Sequence, residues 1–123
     1  MKGLLFISHK TERYDYLQSI DIALRGGCRK IQLRMKDAPV DEVEEVAREA
    51  KEKCEKYRAE LYIDEYVEVC LKTGAAGVQL GKTDMPIKKA REILGNQFVI
   101  GAKANTFEDI KKLNDDGADY IGL

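Results

Sequence analysis

Little in this chain of 123 residues leans toward one sign of charge: 21 Lys and Arg stand against 22 Asp and Glu. Without a basic excess there is no electrostatic footprint for a nucleic acid, and no such partner is expected. No apolar run approaches the roughly 20 residues of a membrane span, and the apolar start at residues 4–7 is too short for a signal peptide. The expectation is a cytoplasmic protein with no membrane partner. Histidine occurs once, as His9, and a lone histidine in a loop reads first as a turn or exposed residue and only second as a catalyst. Cys28, Cys54 and Cys70 are an odd set without CxxC spacing, which points to core thiols rather than a disulfide or metal framework. What is present is 44% hydrophobic and 35% charged residues, a mix that suits amphipathic helices around apolar strands and excludes disorder. One domain over 1–123 is expected.

Short apolar runs alternate with longer stretches of helical period. The runs at 4–8, 30–34, 61–64, 77–81, 98–103 and 120–123 are too short for helices and rich in strand formers, so six strands are expected. Between them Leu17, Ile20 and Leu24 mark one helix face, and Val43, Ala47, Ala50, Cys54 and Tyr57 mark a second. A short third helix is expected near 66–72. A fourth opens with Pro86 in its first turn, buries Ile87, Ala90 and Leu94, and stops at Gly95. A fifth starts at Thr106 with Asp109 three residues on, a capping-box pattern, and packs through Phe107, Ile110 and Leu113. Segments 27–33, 74–80 and 117–123 share the form Gly-small-x-x-aliphatic-x-Leu, the glycine ending one helix and turning the chain into the next strand. The runs 42–45 and 51–56 read as solvated helix faces with opposite charges paired. The fold class is α/β: a parallel (βα) repeat of truncated TIM-barrel type with six strands and five helices, the alternative being an open, flavodoxin-like sheet.

In both architectures a ligand sits at the carboxyl ends of the strands. Those ends carry Ser8 and His9, then Gln32, Arg34 and Lys36, then Asp64 and Glu65, then Gln79 with Asp84 in its loop, then Lys103 and Asn105. Gln32, Arg34 and Lys36 alternate, so they share a face. Inward cations need counter-charges. Arg34 and Lys36 either hold phosphate oxygens or pair with Asp64, Glu65 or Asp84 inside the mouth. The three carboxylates suit Mg²⁺ beside a phosphate, while Asp64 as a helix cap and Asp84 as a turn former is an equally open reading. Tyr14 and Tyr16 read as packing residues at a helix start rather than ligand stackers.

Taken together, Gly27-x-x-x-Ile31-Gln32-Leu33-Arg34-Met35-Lys36-Asp37, the 61–65 strand end, Gly77-Val78-Gln79-Leu80-Gly81-Lys82-Thr83-Asp84-Met85-Pro86, Ile100-Gly101-x-x-x-Asn105-Thr106 and the 117–122 segment resemble the thiamine phosphate synthase family. The resemblance runs through essentially the whole chain and maps onto the first six strands of that (βα)₈ barrel. It implies a transferase of thiamine biosynthesis that joins hydroxymethylpyrimidine diphosphate to a thiazole phosphate, releasing pyrophosphate. It implies Gln32 on the pyrimidine, Arg34 and Lys36 on the diphosphate, Asp64 at the position of the family's Asn, and Mg²⁺ on Glu65 and Asp84. Lys103 falls in the substrate-binding stretch after Ile100-Gly101.

Four departures accompany the resemblance. Asp64 stands for Asn, Glu65 for Asp, Gln79 for His, and Lys103 where a small hydroxyl is usual. The phosphate loops that follow strands 6 to 8 in the family have no counterpart. The expectation is therefore a truncated form, inactive by itself, with phosphorylated small molecules as ancestral partners. Strands 1 and 6 would be open edges that favour a homo-oligomer. The alternative is a truncated or engineered barrel fragment that self-associates and has no enzymatic function. A phosphate-binding remnant or a thiazole tautomerase-like relative is a third reading.

Overall fold

Short apolar runs rich in strand formers, and apolar residues recurring near every 3.6 positions between them, sort this chain into alternating strands and helices. The computed structural model of the chain describes residues 5–8, 15–35, 38–81, 83–104 and 106–122. In order they form β1 (Leu5–Ile7), α1 (Tyr16–Arg25), β2 (Lys30–Leu33), α2 (Val40–Lys56), β3 (Glu60–Asp64), α3 (Val67–Thr73), β4 (Gly77–Leu80), α4 (Ile87–Leu94), β5 (Val99–Lys103), α5 (Phe107–Asp115) and β6 (Tyr120–Gly122). All neighbouring strands pair in parallel, and spatial order equals chain order. A doubly wound sheet reverses its strand order at a switch point; this one does not, and the flavodoxin-like alternative is set aside.

The sheet curls. Five strand spacings of about 4.8 Å would put the outer strands roughly 24 Å apart in a flat sheet. Here Leu5 and Ile7 of β1 line the same cavity of about 420 Å³ as Tyr120 of β6. The result is a half-barrel of six strands with five helices, a partial TIM barrel.

The face toward the helices carries Ile31, Leu33, Ile63, Val78, Leu80 and Ile100, all essentially inaccessible, packed with Ile20, Leu24, Val43, Ala47, Ala50 and Cys54 from the helices. The expected faces of the first, second and fourth helices are thus the buried ones; Leu17 and Tyr57 are half-buried against the same core. In α5, Ile110 and Leu113 are half-buried. The cysteines are free: Cys28 is half-buried, and burial pushes the thiols of Cys54 and Cys70 up to about 11 and about 12, as inert core sulfurs should behave. Tyr16 packs against the core, as read.

Helix ends agree with the sequence reading except in detail. Pro86 is the N-cap of α4, one position before its first turn, and Pro39 does the same for α2. Thr106 accepts from the Asp109 N–H at 3.1 Å, while a reciprocal capping box, unread in the sequence, joins Asp15 and Gln18 at α1. Opposite charges one turn apart pair on α2, as Glu44 with Arg48 and Lys51 with Glu55. The repeated glycines do end helices: Gly27, Gly74 and Gly117 have φ of 99°, 69° and 96°.

α2 leaves by the same route with a different residue. The Ala59 N–H reaches the Cys54 carbonyl at 2.8 Å and the Arg58 N–H reaches Glu55 at 3.1 Å, the paired bonds of a Schellman exit. The left-handed position is held by exposed Arg58, φ 56°. A Cβ there costs about 1–2 kcal/mol.

The edge strand β6 is pinned from below. Arg91 of α4 donates to the carbonyls of Gly95, Phe98 and Gly117 and to the Asp119 carboxylate at 2.8 Å, which also accepts the Ile100 N–H at 2.8 Å. Burial works against the Asp119 charge, but these donors win and hold its carboxyl below the usual value.

Two outcomes are expected. Arg58→Gly should stabilise the chain by about 1 kcal/mol in urea titration, because the strain it relieves exceeds the added unfolded-state entropy. A net loss would mean that Arg58 makes a compensating contact. Gly77→Ala should destabilise severely, by about 3 kcal/mol or more, since its Cβ would drive into the Val99 carbonyl of the neighbouring strand; a mild effect on the thermal midpoint would contradict that packing.

Candidate functional site

Residues alternate with those of the apolar face, so Lys30, Gln32, Tyr62, Asp64, Gln79, Gly101, Lys103 and Tyr120 point into the concave side of the sheet. The register stacks them in tilted layers. Ile7, Gln32, Tyr62, Gly77 and Val99 are partners across five strands; above them Asp64, Gln79, Gly101 and Tyr120 are partners across four.

Below both layers, a lower one at Lys30 and Glu60 is closed. Lys30 Nζ pairs with Glu60 at 2.9 Å, and the Tyr62 hydroxyl donates to the other Glu60 oxygen at 3.1 Å. The Lys30 contact, against the burial penalty, holds the Glu60 carboxyl low. Tyr62 is buried and its phenol is pushed well up, by burial first and then by the Glu60 charge. At the carboxyl ends of the strands Arg34, Asp64, Asp84 and Lys103 meet on the wall of the cavity.

There Gln32, 4% exposed, donates its amide to Asp64 Oδ1 at 3.0 Å. Burial raises the Asp64 pKa. Arg34 opposes the rise, Asp84 and Glu65 add to it through their negative charge, and the Gln32 bond counters it. The Arg34 backbone is fixed by buried Ser8: the Arg34 N–H donates to Ser8 Oγ at 3.0 Å and the Ser8 N–H to the Gln32 carbonyl at 2.8 Å. The Arg34 side chain is exposed into the mouth, and among the described residues it has no ion pair. Arg34 acts on Asp64 through its charge, without a direct ion pair to a mouth carboxylate among the described residues.

The two cap readings part company. Asp84 does shape its turn, accepting the Gly81 N–H at 2.6 Å. Asp64 does not cap α3, whose N-cap is Tyr66 without a side-chain bond to the helix's own first turn; the Asp64 carboxylate accepts from Gln32 instead. Glu65 is exposed in the left-handed region, φ 73°, with its N–H on the Gln79 carbonyl at 2.8 Å. It lines a neighbouring cleft of about 310 Å³ with Thr83 and Asp84 rather than the main mouth. Asp84 stands between the two spaces. Among the described residues no group of three His, Cys, Asp or Glu side chains is set to hold a metal ion.

Arg34, Asp64, Asp84, Gln32 and Lys103 are thus brought to one cavity, with Glu65 beside it. Lys36, His9, Tyr14 and Asn105 lie outside the described residues. Two contributors were not read in the sequence. Ser8 was placed at a strand end but given no task. Tyr120, whose hydroxyl donates to Gln79 Oε1 at 2.6 Å, was seen only as part of a strand. The alternation placed Tyr120 inward, and the bare Gly101 beside it was the available signal.

Comparison with known proteins bears on the family and the fold. Residues 4–123 match the family model described as thiamine monophosphate synthase. The thiamine-phosphate synthase of Bacteroides thetaiotaomicron is 51% identical over 123 residues, which cover 100% of this chain and 59% of that protein. The Phocaeicola vulgatus protein of the same name is 55% identical over 119 residues, 97% of this chain and 57% of its own length. The solved thiamine phosphate pyrophosphorylase of Pyrococcus furiosus superposes with a TM-score of 0.87 at 36% identity, covering 96% of this chain and 58% of that one. The chain spans about three fifths of the length of the relatives it matches. Its sequence and its half-barrel place it alike: this chain belongs to the thiamine monophosphate synthase family.

Proposed function

We propose that the mouth of the half-barrel binds the diphosphate-bearing pyrimidine in the synthesis of thiamine phosphate, where hydroxymethylpyrimidine diphosphate loses pyrophosphate and gains a bond to the nitrogen of a thiazole phosphate. The observation that carries this reading is Arg34, an exposed cation on the cavity wall with no direct ion pair among the described residues, next to a buried amide locked on a carboxylate. Its guanidinium can take two phosphate oxygens at once, and Lys103 adds a second positive charge across the same mouth. Lys36 is proposed to act with Arg34. Gln32, its NH₂ committed to Asp64, keeps Oε1 free to accept from an amino group on the pyrimidine.

Glu65 and Asp84 are the proposed Mg²⁺ ligands, and the donor set fits. The site offers oxygen atoms only, and the Asp84 and Glu65 charges already raise the proton affinity of Asp64, a repulsion that a divalent cation would relieve. Mg²⁺ commonly takes one or two carboxylates and completes its shell with water and phosphate oxygens. When bound it would neutralise charge on the departing pyrophosphate. Arg34 and Lys103 would share that task from the protein side, and Ser8 would keep the Arg34 backbone in place. Because the match spans about three fifths of the relatives, the expectation for these 123 residues is ligand binding without turnover.

Calorimetry with inorganic pyrophosphate and Mg²⁺ tests the reading. Saturable binding is expected, weakened about 10- to 100-fold by Arg34→Ala, the loss of charge-assisted hydrogen bonds, and less by Lys103→Ala. An unchanged affinity in Arg34→Ala would remove the basis of the proposal, and rapid thiamine phosphate formation by the 123 residues would overturn the expectation of binding alone.

Asp64 gives a separate test in pH. Its folded pKa lies above its unfolded value near 3.8, so the folded state binds the proton more tightly. That contribution is favourable below the unfolded pKa and is lost as pH rises through the folded one. Asp64→Asn keeps an oxygen for Gln32 and removes the charge. It should be more stable than the parent at pH 7, with the difference shrinking toward pH 4 in thermal melts.

A further inference from the structure

The side chains of Gln79 and Tyr120 meet across a strand, and at their level that strand is bare. Gln79 lies on β4 and Tyr120 on β6; between them, at the same register level on β5, stands Gly101. A Cβ on Gly101 would run into the Tyr120 ring. The absence of a side chain at 101 therefore lets the ring lie across β5 and bring its hydroxyl to Gln79 Oε1 at 2.6 Å. The register also sets Gln79 beside Asp64. An amide between a carboxylate and a phenol has one favourable orientation: its carbonyl takes the phenolic proton and its NH₂ is left on the side of the carboxylate and the open mouth. Reversing it would aim the amide oxygen at the Asp64 charge and leave the phenol to accept from a poorer donor.

We propose that Tyr120 is a positioning residue: by donating to Gln79 Oε1 across Gly101, it fixes the Gln79 amide so that Nε2 stands in the mouth as a hydrogen-bond donor for an acceptor atom on the ligand. With Gln32 presenting a free carbonyl oxygen and Gln79 a fixed NH₂, the mouth carries an acceptor and a donor on either side of Asp64. That pattern reads a neutral heterocycle with a donor and an acceptor on one edge, and it is separate from the cations that read phosphate. The selectivity for the ring would then depend on a residue two strands away from the amide it orients. The inference rests on the mouth being the ligand cavity of the preceding section.

The test is Tyr120→Phe, which keeps the ring over Gly101 and removes only the hydroxyl. The first readout needs no ligand: the side-chain amide and carbonyl resonances of Gln79, assigned by isotope labelling, should shift, and the amide should become more mobile. The second compares two probes, hydroxymethylpyrimidine diphosphate and inorganic pyrophosphate. Affinity for the first should fall about five- to tenfold, as for one lost hydrogen bond, while affinity for pyrophosphate stays the same. Gly101→Ala, which displaces the ring, should reproduce both changes. Unchanged Gln79 resonances in Tyr120→Phe would overturn the proposal, as would an equal loss for both probes, which marks general damage. If the parent chain binds neither probe, the ligand reading of the mouth fails, and the Gln79 resonances alone decide whether Tyr120 orients the amide.

Discussion

The structure depends on the burial of one sheet face. Ile31, Leu33, Ile63, Val78, Leu80 and Ile100 have essentially no accessible surface because the helices cover them. Each such side chain contributes about 1.5–3 kcal/mol when withdrawn from water. A slip of one residue in any strand would turn that set toward the concave side and put its polar neighbours under the helices. The hydrophobic face therefore decides where Gln32, Asp64, Gln79 and Tyr120 point, although none of them belongs to it. The polar arrangement at the mouth is a by-product of register enforced from behind.

The concave side shows what that enforcement tolerates. Its lower layer is neutralised internally by Lys30, Glu60 and Tyr62. Its upper layer is not: Asp64 is half-buried among Asp84 and Glu65, and Glu65 adopts a backbone conformation that side chains avoid. Strain and like charges gathered at one rim recur where a site must bind something from outside. The same chain thus has a settled base and a rim whose charges are incompletely answered by protein groups.

Much of this was legible before any coordinates. Short apolar runs rich in strand formers pointed to the six strands, and the parallel sheet followed from strict alternation with helices. The convergence of Arg34, Asp64, Asp84 and Lys103 followed from reading strand ends in order. What escaped was anything decided by the third dimension. Asp64 and Asp84 look alike in sequence, each an acidic residue shortly before a helix. Only the fold sends one to Gln32 and the other back onto its own turn. Tyr120 sits in an ordinary strand, and its task arises from curvature that brings β6 over toward β4. The exit of α2 was hidden because Arg58 occupies a backbone conformation that elsewhere in this chain is taken by Gly27 and Gly117.

The guanidinium of Arg91 has a consequence for how β6 can behave. It fastens the start of that strand, through Gly117 and Asp119, to the turn before β5, at the end away from the cavity. A strand clamped at its foot does not slide lengthwise past its neighbour. Tyr120, directly after the clamped Asp119, therefore keeps its level in the sheet beside Gly101.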